Sequence, residues 1–582
     1  MSYPCPGRVR SLIGVVAMVA AVLPATAEAR RNVYVTGNTS STIAAFDVAA
    51  GGALSPVTGS PFATGLNPRG VSLTPDGAHA YVANETADSV TTFSVGANGA
   101  LTPVGAASPV GDMPRAVAPS PDGTHLYVSN AGAGAGGNSV SAFNIGAGGA
   151  LTPVAGSPFA AGTEPQGIAL TPDGKFLYVA NRGAGTLSAF AVAASGALTP
   201  LVPPTAAVGT QPRGVSVTPD GHHLYVANSA SDTVSAFDVA ASGALTPIGA
   251  PSSTGTTPDD VTITPNGAFL YTANENNDNV SSFTIAAGGN LTPLATVPTG
   301  PGPATGGVTP DGRHLYLADF GNDTITGFDI GSGGGLTAIP GTPFASTVNT
   351  NGFLSLAITP DQGPTAAFTA TAAPAGRATT FNGAGSSDAD GAVARFDWSF
   401  GDGQSLADGG PTPSHTYSSA GTYTATLTVI DDEGCAATQV FTGHIVLCNG
   451  SARAVSQQQV VVVDAKPPKL TLSGKKSQKA DAAVEVTVSC DERCDVVAKG
   501  KLTVALSASK SAQSAKFKLK KAKASVNKGN RKTLHLKLPK PAKAAFENGT
   551  ASSGNAKLKV PATDAAGNKA AKSRTVKLKP KR

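Results

Sequence analysis

Charge and aromatic rings are scarce in this 582-residue chain: Asp, Glu, Lys and Arg together supply 14% of it and Phe, Trp and Tyr 5%, against 69 glycines. That balance suits short strands joined by tight polar turns and argues against an architecture of long helices. Long apolar runs are equally few. Past residue 23 no stretch could cross a bilayer, so no transmembrane span is expected once the N-terminus is accounted for. Familiar catalytic signatures are missing too. There is no Gly-x-Ser-x-Gly elbow, no His-Glu-x-x-His helix and no phosphate-cradling loop. Cysteine is limited to five residues, and no histidine accompanies them at metal-ligand spacing, which disfavours zinc.

What is present begins with a targeting device. Arg8 and Arg10 precede an apolar run over 12–23, and Ala25-Thr26-Ala27 or Ala27-Glu28-Ala29 offers a small-residue cleavage site. Residues 1–29 therefore read as a secretory signal, with an uncleaved anchor as the alternative. Cys5 leaves with the signal, and the remaining four fall into two local pairs, Cys435 with Cys448 and Cys490 with Cys494, as suits an oxidising compartment. Charge is unevenly spread. Residues 30–363 hold 8 basic and 20 acidic side chains, 364–465 hold 3 and 9, and 466–582 hold 29 and 7, a net +22. Such a tail expects an acidic surface or polyanion as its neighbour.

Between these ends one unit repeats. Tyr34, Tyr81, Tyr127, Tyr178, Tyr225, Tyr271 and Tyr316 are spaced 47, 46, 51, 47, 46 and 45 residues apart. One copy runs from Pro68-Arg69-Gly70 into an apolar stretch at 71–75, turns at Pro75-Asp76-Gly77, and continues through further runs at 78–84, 89–95 and 99–104. Four short strands separated by Gly, Asn, Asp and Pro form one antiparallel sheet, and a repeat this small buries its faces by closing into a ring. The third strand brings Phe46, Phe93, Phe143, Phe190, Phe237, Phe283 and Phe328, which with the tyrosines read as packing between blades. The first copy lacks its leading strand, whereas 353–359 repeats that strand with nothing after it. This last segment is expected to complete blade one, giving seven blades over 30–363 and no free edge.

The chain resembles here the bacterial and archaeal YVTN-repeat propellers, relatives of lactonase-type seven-bladed propellers. The resemblance covers residues 32–361. Because successive strands reverse direction, the loop before each Pro-x-Gly strand and the loop after each Tyr-Val-x-Asn strand emerge on one face. Arg69, Arg115 and Arg213, with Gln166 and Asp259 at equivalent places, thus join Glu85 and Glu275 around one rim. Such a collar suits a carboxylated or sugar ligand, or is a solvated rim. The resemblance implies lactone hydrolysis, which needs a base for water and cations for the oxyanion. It would make Arg69, Glu85, Arg115, Arg213 and Glu275 catalytic. The family's Pro-Arg-His pattern is matched at Arg69, but the next position is Gly70, and Ala116 and Gly214 in other copies. His79, His125, His223 and His314 lie inside strands and His222 beside a turn, and none replaces the missing rim histidine. Asn277-Asp278-Asn279 and Asn322-Asp323-Thr324 carry oxygen ligands without calcium-loop spacing and read as turns. No cofactor or metal is expected, structural calcium having no specific motif behind it.

Two modules follow. Within 364–465, Trp398-Ser399-Phe400-Gly401-Asp402-Gly403, His415-Thr416-Tyr417, Gly421-Thr422-Tyr423 and 427–431 resemble a PKD domain, an extracellular immunoglobulin-like module that acts as a spacer or aids binding. Residues 435–459 depart from the pattern, longer than the usual last hairpin and stapled by the cysteine pair. Residues 466–582 alternate apolar with basic positions, as in 534–538, and their end at 562–578 resembles the final hairpin of secreted bacterial immunoglobulin-like domains. The expected protein is all-β, secreted or on a bacterial cell surface. It is expected to be a non-catalytic binding or scaffold protein for cell-wall polymers, glycans or proteins, with a lactonase-like hydrolase for a small acidic lactone as the alternative. Nothing in the sequence points to specific nucleic-acid binding.

Overall fold

The computed structural model describes residues 31–134, 136–349, 355–507 and 513–581; the signal at 1–29 lies outside them. Seven antiparallel sheets of like order form the ring. Blade two shows the pattern: Pro68–Leu73 lines the channel, followed outward by His79–Asn84, Ser89–Val95 and Leu101–Pro103. A short fifth strand, Ser108–Pro109, adds to Ser89–Val95 and has counterparts in most blades, a detail the repeat pattern did not announce. Blade one is closed as expected. Leu356–Ile358 pairs antiparallel with Asn32–Gly37, Ala357 opposite Tyr34, while residues 353 and 354 of the expected strand lie outside the described residues.

The repeated tyrosines are buried, and each hydroxyl donates to a glycine carbonyl of the next blade. Tyr34 reaches Gly99 at 2.9 Å, Tyr81 reaches Gly149 at 3.0 Å, and Tyr316 of blade seven reaches Gly52 of blade one at 2.7 Å. A strand residue thus does two jobs: its ring fills the gap between sheets and its one polar atom is satisfied across it. The third-strand phenylalanines are buried in the same gaps.

The PKD-like sandwich packs a three-stranded sheet (Thr369–Thr371, Ala378–Asn382, Ser414–Thr416) on a four-stranded one (Ser405–Leu406, Val393–Ser399, Gly421–Asp431, Val455–Val462). Trp398 lies at its centre against Phe368 and Phe381, with Nε1 donating to the Gly410 carbonyl at 2.9 Å, so it is core. The expectation of a spacer needs correction. The hairpin Val440–Phe441 and Val446–Cys448 leaves the sandwich and enters the propeller channel.

In the last module a three-stranded sheet faces a six-stranded one, and Ala551–Asp564 with Lys569–Lys579 forms the anticipated final hairpin. Lysines occupy wet positions between buried ones, as in Arg531–Lys537, where Leu534 and Leu536 are buried and His535 is exposed. One element was not foreseen, the helix Lys540–Glu547. Pro541 sits in its first turn and Ala542 and Phe546, four residues apart, are buried on one side. Both expected disulfides are present, Cys435 to Cys448 and Cys490 to Cys494. Among the described residues no helix is long and apolar enough to cross a membrane.

Candidate functional site

The inner strands of blades two to seven start with Pro and a variable residue, and the residue before that proline bends the chain. Asn67, Met113, Glu164, Gln211 and Thr257 all have φ between 52° and 60°. Their carbonyls accept the backbone N–H of the residue after each second strand: Glu85 bonds to Asn67, Arg182 to Glu164 and Glu275 to Thr257, each at 2.9 Å. This repeated clasp lays the second-strand loop beside the start of the inner strand. It is the local reason that Arg69 and Glu85, or Asp259 and Glu275, become neighbours within a blade, while Arg213 reaches Asp259 and Glu275 from the blade before.

Arg69 Nε meets Glu85 Oε2 at 2.5 Å, Arg115 Nη2 meets Glu85 Oε1 at 2.9 Å, and Asn67 donates to the same carboxylate at 3.1 Å. Glu85 is buried. Across the ring, Arg213 Nη1 lies 2.5 Å from the buried Asp259 carboxylate and 3.3 Å from Glu275. Burial pushes the Asp259 carboxyl well above its ordinary range; Arg213 opposes this, and Glu275 adds a like charge and a hydrogen bond. A third pair, Arg182 with Glu164 at 2.9 Å, was not singled out in the sequence, although Arg182 occupies the position equivalent to Glu85. Burial lowers the Arg115 pKa, Glu85 opposes this, and the charges of Arg69, Arg182 and Arg213 lower it further. The sequence-predicted residues thus form two groups, Arg69–Glu85–Arg115 and Arg213–Asp259–Glu275, whose arginines share one field.

The missing histidine has a steric cause. A Cβ on Gly70 would stand 2.5 Å from the carbonyl oxygen of Arg115 on the neighbouring inner strand, and one on Gly214 would stand 2.6 Å from the Asp260 carboxylate. No imidazole fits at either place without moving a strand. The strand histidines pack instead between blades, His79 against Gly149 and His125 against Gly196, with His314 Nδ1 2.8 Å from Asp329. Asp278 and Asp323 take left-handed conformations, φ 50° and 56°, as turn residues do.

The opposite end of the channel is filled. The Leu170 amide donates to the Gly443 carbonyl at 2.7 Å, the Val217 amide to that of Thr442 at 3.2 Å, and Ser72 Oγ to that of His444 at 2.8 Å. Inner strands present an unpaired edge to the channel, and the hairpin tip supplies acceptors to those of blades two, four and five. Phe441 and Val446 join the apolar cluster around Ile168 and Leu170. Burial pushes the His444 imidazole down to about 4. Sequence reasoning noticed the extra length and the cysteines of this segment, but not what it fills.

The family model "Lactonase, 7-bladed beta-propeller" matches in overlapping stretches, 25–119, 46–209, 138–257, 199–306 and 252–348. The chain belongs to the seven-bladed lactonase propeller family. A PKD domain model matches 361–445. Among solved structures, a candidate 6-phosphogluconolactonase of Bacteroides fragilis is similar at 24% identity over 58% of this chain and 99% of the other, with a TM-score of 0.51. Another, from Bacteroides uniformis, is similar at 20% identity over 57% and 100%, also with a TM-score of 0.51. At these identities the likeness carries the propeller fold, and the lactonase-family ring accounts for little more than half of the chain.

Proposed function

We propose that the propeller mouth binds a small carboxylated or phosphorylated ligand of sugar-acid type, and that the protein works outside the cytoplasm as a binding protein of the envelope or cell surface. The observation that carries this is the gathering of Arg69, Arg115, Arg182 and Arg213 at one end of a channel whose other end is occupied by the hairpin. Guanidinium groups held by carboxylates are pre-organised for bidentate anion recognition. The PKD module and the two disulfides support an extracellular setting, and the basic final module, net +22 over 466–582, supports retention on an anionic polymer or other acidic surface. Calorimetric titration of the full chain with gluconate and 6-phosphogluconate tests the reading. Saturable binding that falls at least about tenfold in Arg213→Ala supports it, and no binding of either anion at millimolar concentration refutes it.

A second reading is lactone hydrolysis, favoured by the contact of Asp259, Glu275 and Arg213. In that reaction Glu275 takes a proton from water, the resulting hydroxide attacks the ring carbonyl carbon, Arg213 stabilises the oxyanion, and the ring C–O bond breaks as the departing oxygen regains a proton. Hydrolysis of glucono-1,5-lactone or 6-phosphogluconolactone above the uncatalysed rate, lost in Glu275→Gln, would establish it. An uncatalysed rate with wild-type protein leaves the binding role alone.

A further inference from the structure

The outward face of the six-stranded sheet in the last module is covered with lysine. Its central strand Cys494–Leu506 pairs with Ala551–Asp564 on one side and with Ser514–Lys518 and Ala522–Val526 on the other, and Lys569–Lys579 lies beyond Ala551–Asp564. Alternate residues Leu502, Val504, Ala556, Leu558 and Val560 are buried in the module's core, which turns the residues between them outward. Register then sets like charges directly opposite one another. Lys501 stands opposite Lys518 on one neighbour and Lys557 on the other, and Lys499 stands opposite Lys559. The next row across the sheet reads Lys516, Thr503, Asn555, Lys577. Every lysine in these rows is exposed. At about 4.8 Å between strands and about 3.4 Å per residue, they occupy a patch about 14 Å on a side.

Stability does not require this arrangement. Like charges directly opposite one another destabilise a sheet. Lysines that guard a free edge belong on edge strands, but Lys499, Lys501, Lys557 and Lys559 sit on strands paired along both sides. The other sheet of the same module has the ordinary solution, Glu485 opposite His535 with 3.1 Å between carboxylate and ring. The lysine rows have no such partner. Among the described residues the remaining ion pairs of the module are Lys543 with Glu547 and Lys581 with Asp481. Asp495, the one carboxylate on this face of Cys494–Leu506, lies four residues from Lys499 and accepts a hydrogen bond from Ser525.

Resting on the reading that this module is retained by an anionic polymer, we propose that this face is the binding surface and that its partner is a linear polyol-phosphate polymer with one phosphodiester per repeat. Lysine marks phosphate here. An ammonium is a hydrated point charge that serves a phosphate oxygen from any direction, whereas a carboxylate is best matched by the guanidinium fork. Arg574, on Lys569–Lys579, turns away from the face and donates to the Leu472 carbonyl at 3.0 Å. Adjacent strands twist by about 20–25°, so four of them form a saddle that a flexible chain can follow and a flat bilayer touches only in part. Among the described residues no large apolar side chain of the module is exposed, which leaves nothing to enter a membrane. Phe517 turns inward against the core, so no ring projects from these rows for bases to stack on.

The test measures binding of synthetic poly(glycerol phosphate) to the full chain by fluorescence anisotropy over a series of salt concentrations. Saturable binding is expected, weakening about 100-fold between about 0.05 and 0.2 M salt if about five phosphates are neutralised. Lys501→Gln, Lys557→Gln and Lys559→Gln together should weaken it at least about tenfold and flatten the salt slope by about 2. The Tm of that variant should be no lower than wild type, because opposed charges are removed. Lys528→Gln, Lys532→Gln and Lys537→Gln together, equal in charge and placed on or just before the strand Arg531–Lys537 of the other sheet, should stay within about twofold of wild type. The proposal is overturned if the two triple variants lose affinity equally, since net charge alone then binds. It is equally overturned if vesicles of phosphatidylserine and phosphatidylcholine, polyglutamate or single-stranded RNA bind at least as tightly as poly(glycerol phosphate). In those cases retention on an acidic surface still stands. If none of these polyanions binds, the proposal and that reading fall together.

Discussion

At the mouth of the channel Glu85 is clamped between Arg69 and Arg115, and Asp259 rests on Arg213. At the plugged end Asp361, Asp388, Asp390 and Asp431 each leave an oxygen with no donor, and one arginine serves Glu433. Both ends bury carboxylates, but one neutralises them from within the chain and the other does not. The first arrangement is complete as folded, whereas the second leaves buried carboxylates facing one another. Substitutions of the same chemical kind should therefore have opposite signs at the two ends.

The largest expected effect is at the mouth. Glu85→Ala leaves two guanidinium groups facing each other in a largely buried site and should cost about 3–5 kcal/mol in urea denaturation. Asp431→Asn, which removes one of several crowded carboxylates, should cost nothing. A loss below about 1 kcal/mol for Glu85→Ala would mean that the mouth pairs are merely solvated. Next comes the plug. Gly443 has φ 110°, and a Cβ there would stand 2.9 Å from that of Ala169, so Gly443→Ala should weaken hairpin docking by about 1–3 kcal/mol. Exchange at the Leu170 and Val217 amides reads this directly.

Asp260 sharpens the contrast, being a buried carboxylate at the mouth that has backbone donors, Val261 and Gly306, but no arginine. Burial pushes its pKa up to about 7. Its folded pKa exceeds the unfolded one, so its contribution is fully present below about pH 4 and lost as pH rises through about 7, with a slope of up to about 1.4 kcal/mol per pH unit. Asp260→Asn should flatten that limb of the stability profile. The smallest effect is local. Burial lowers the His444 pKa to about 4, below its unfolded value, so the tip's stability is present above about pH 6.5 and lost as pH falls toward 4. Faster exchange at Leu170 and Val217 in that window should disappear in His444→Asn.

The ring was legible because its signals are local and repeated: a tyrosine every 45–51 residues and a phenylalanine after it recur seven times, with a turn before the tyrosine in every copy but the first. The mouth was partly legible, since strand reversal alone brings Arg69 to Glu85. Arg182 with Glu164 escaped because a basic residue stands at the place of Glu85 and its partner lies before the proline, at the place of Asn67. The plug was illegible for a different reason. The sequence of 435–448 shows a stapled excursion, but which hollow receives it is a tertiary fact, and His444 carries no motif. The carboxylates beside the hairpin's root, Asp361, Asp388, Asp431 and Glu433, are too scattered in sequence for any spacing rule to collect them. The helix Lys540–Glu547 is barely two turns long, too short for its period to stand out among alternating strands.

The strand Leu356–Ile358 that completes blade one also sets an order of events. Made from the N-terminus onward, the chain cannot shut its ring until that strand emerges, and Val440–Cys448 emerges later still. The hairpin thus meets a cylinder already finished and enters from its end, with no need to be threaded. A chain cut between the closing strand and the hairpin would yield a whole ring open at both ends, a tube where the full protein has a cup.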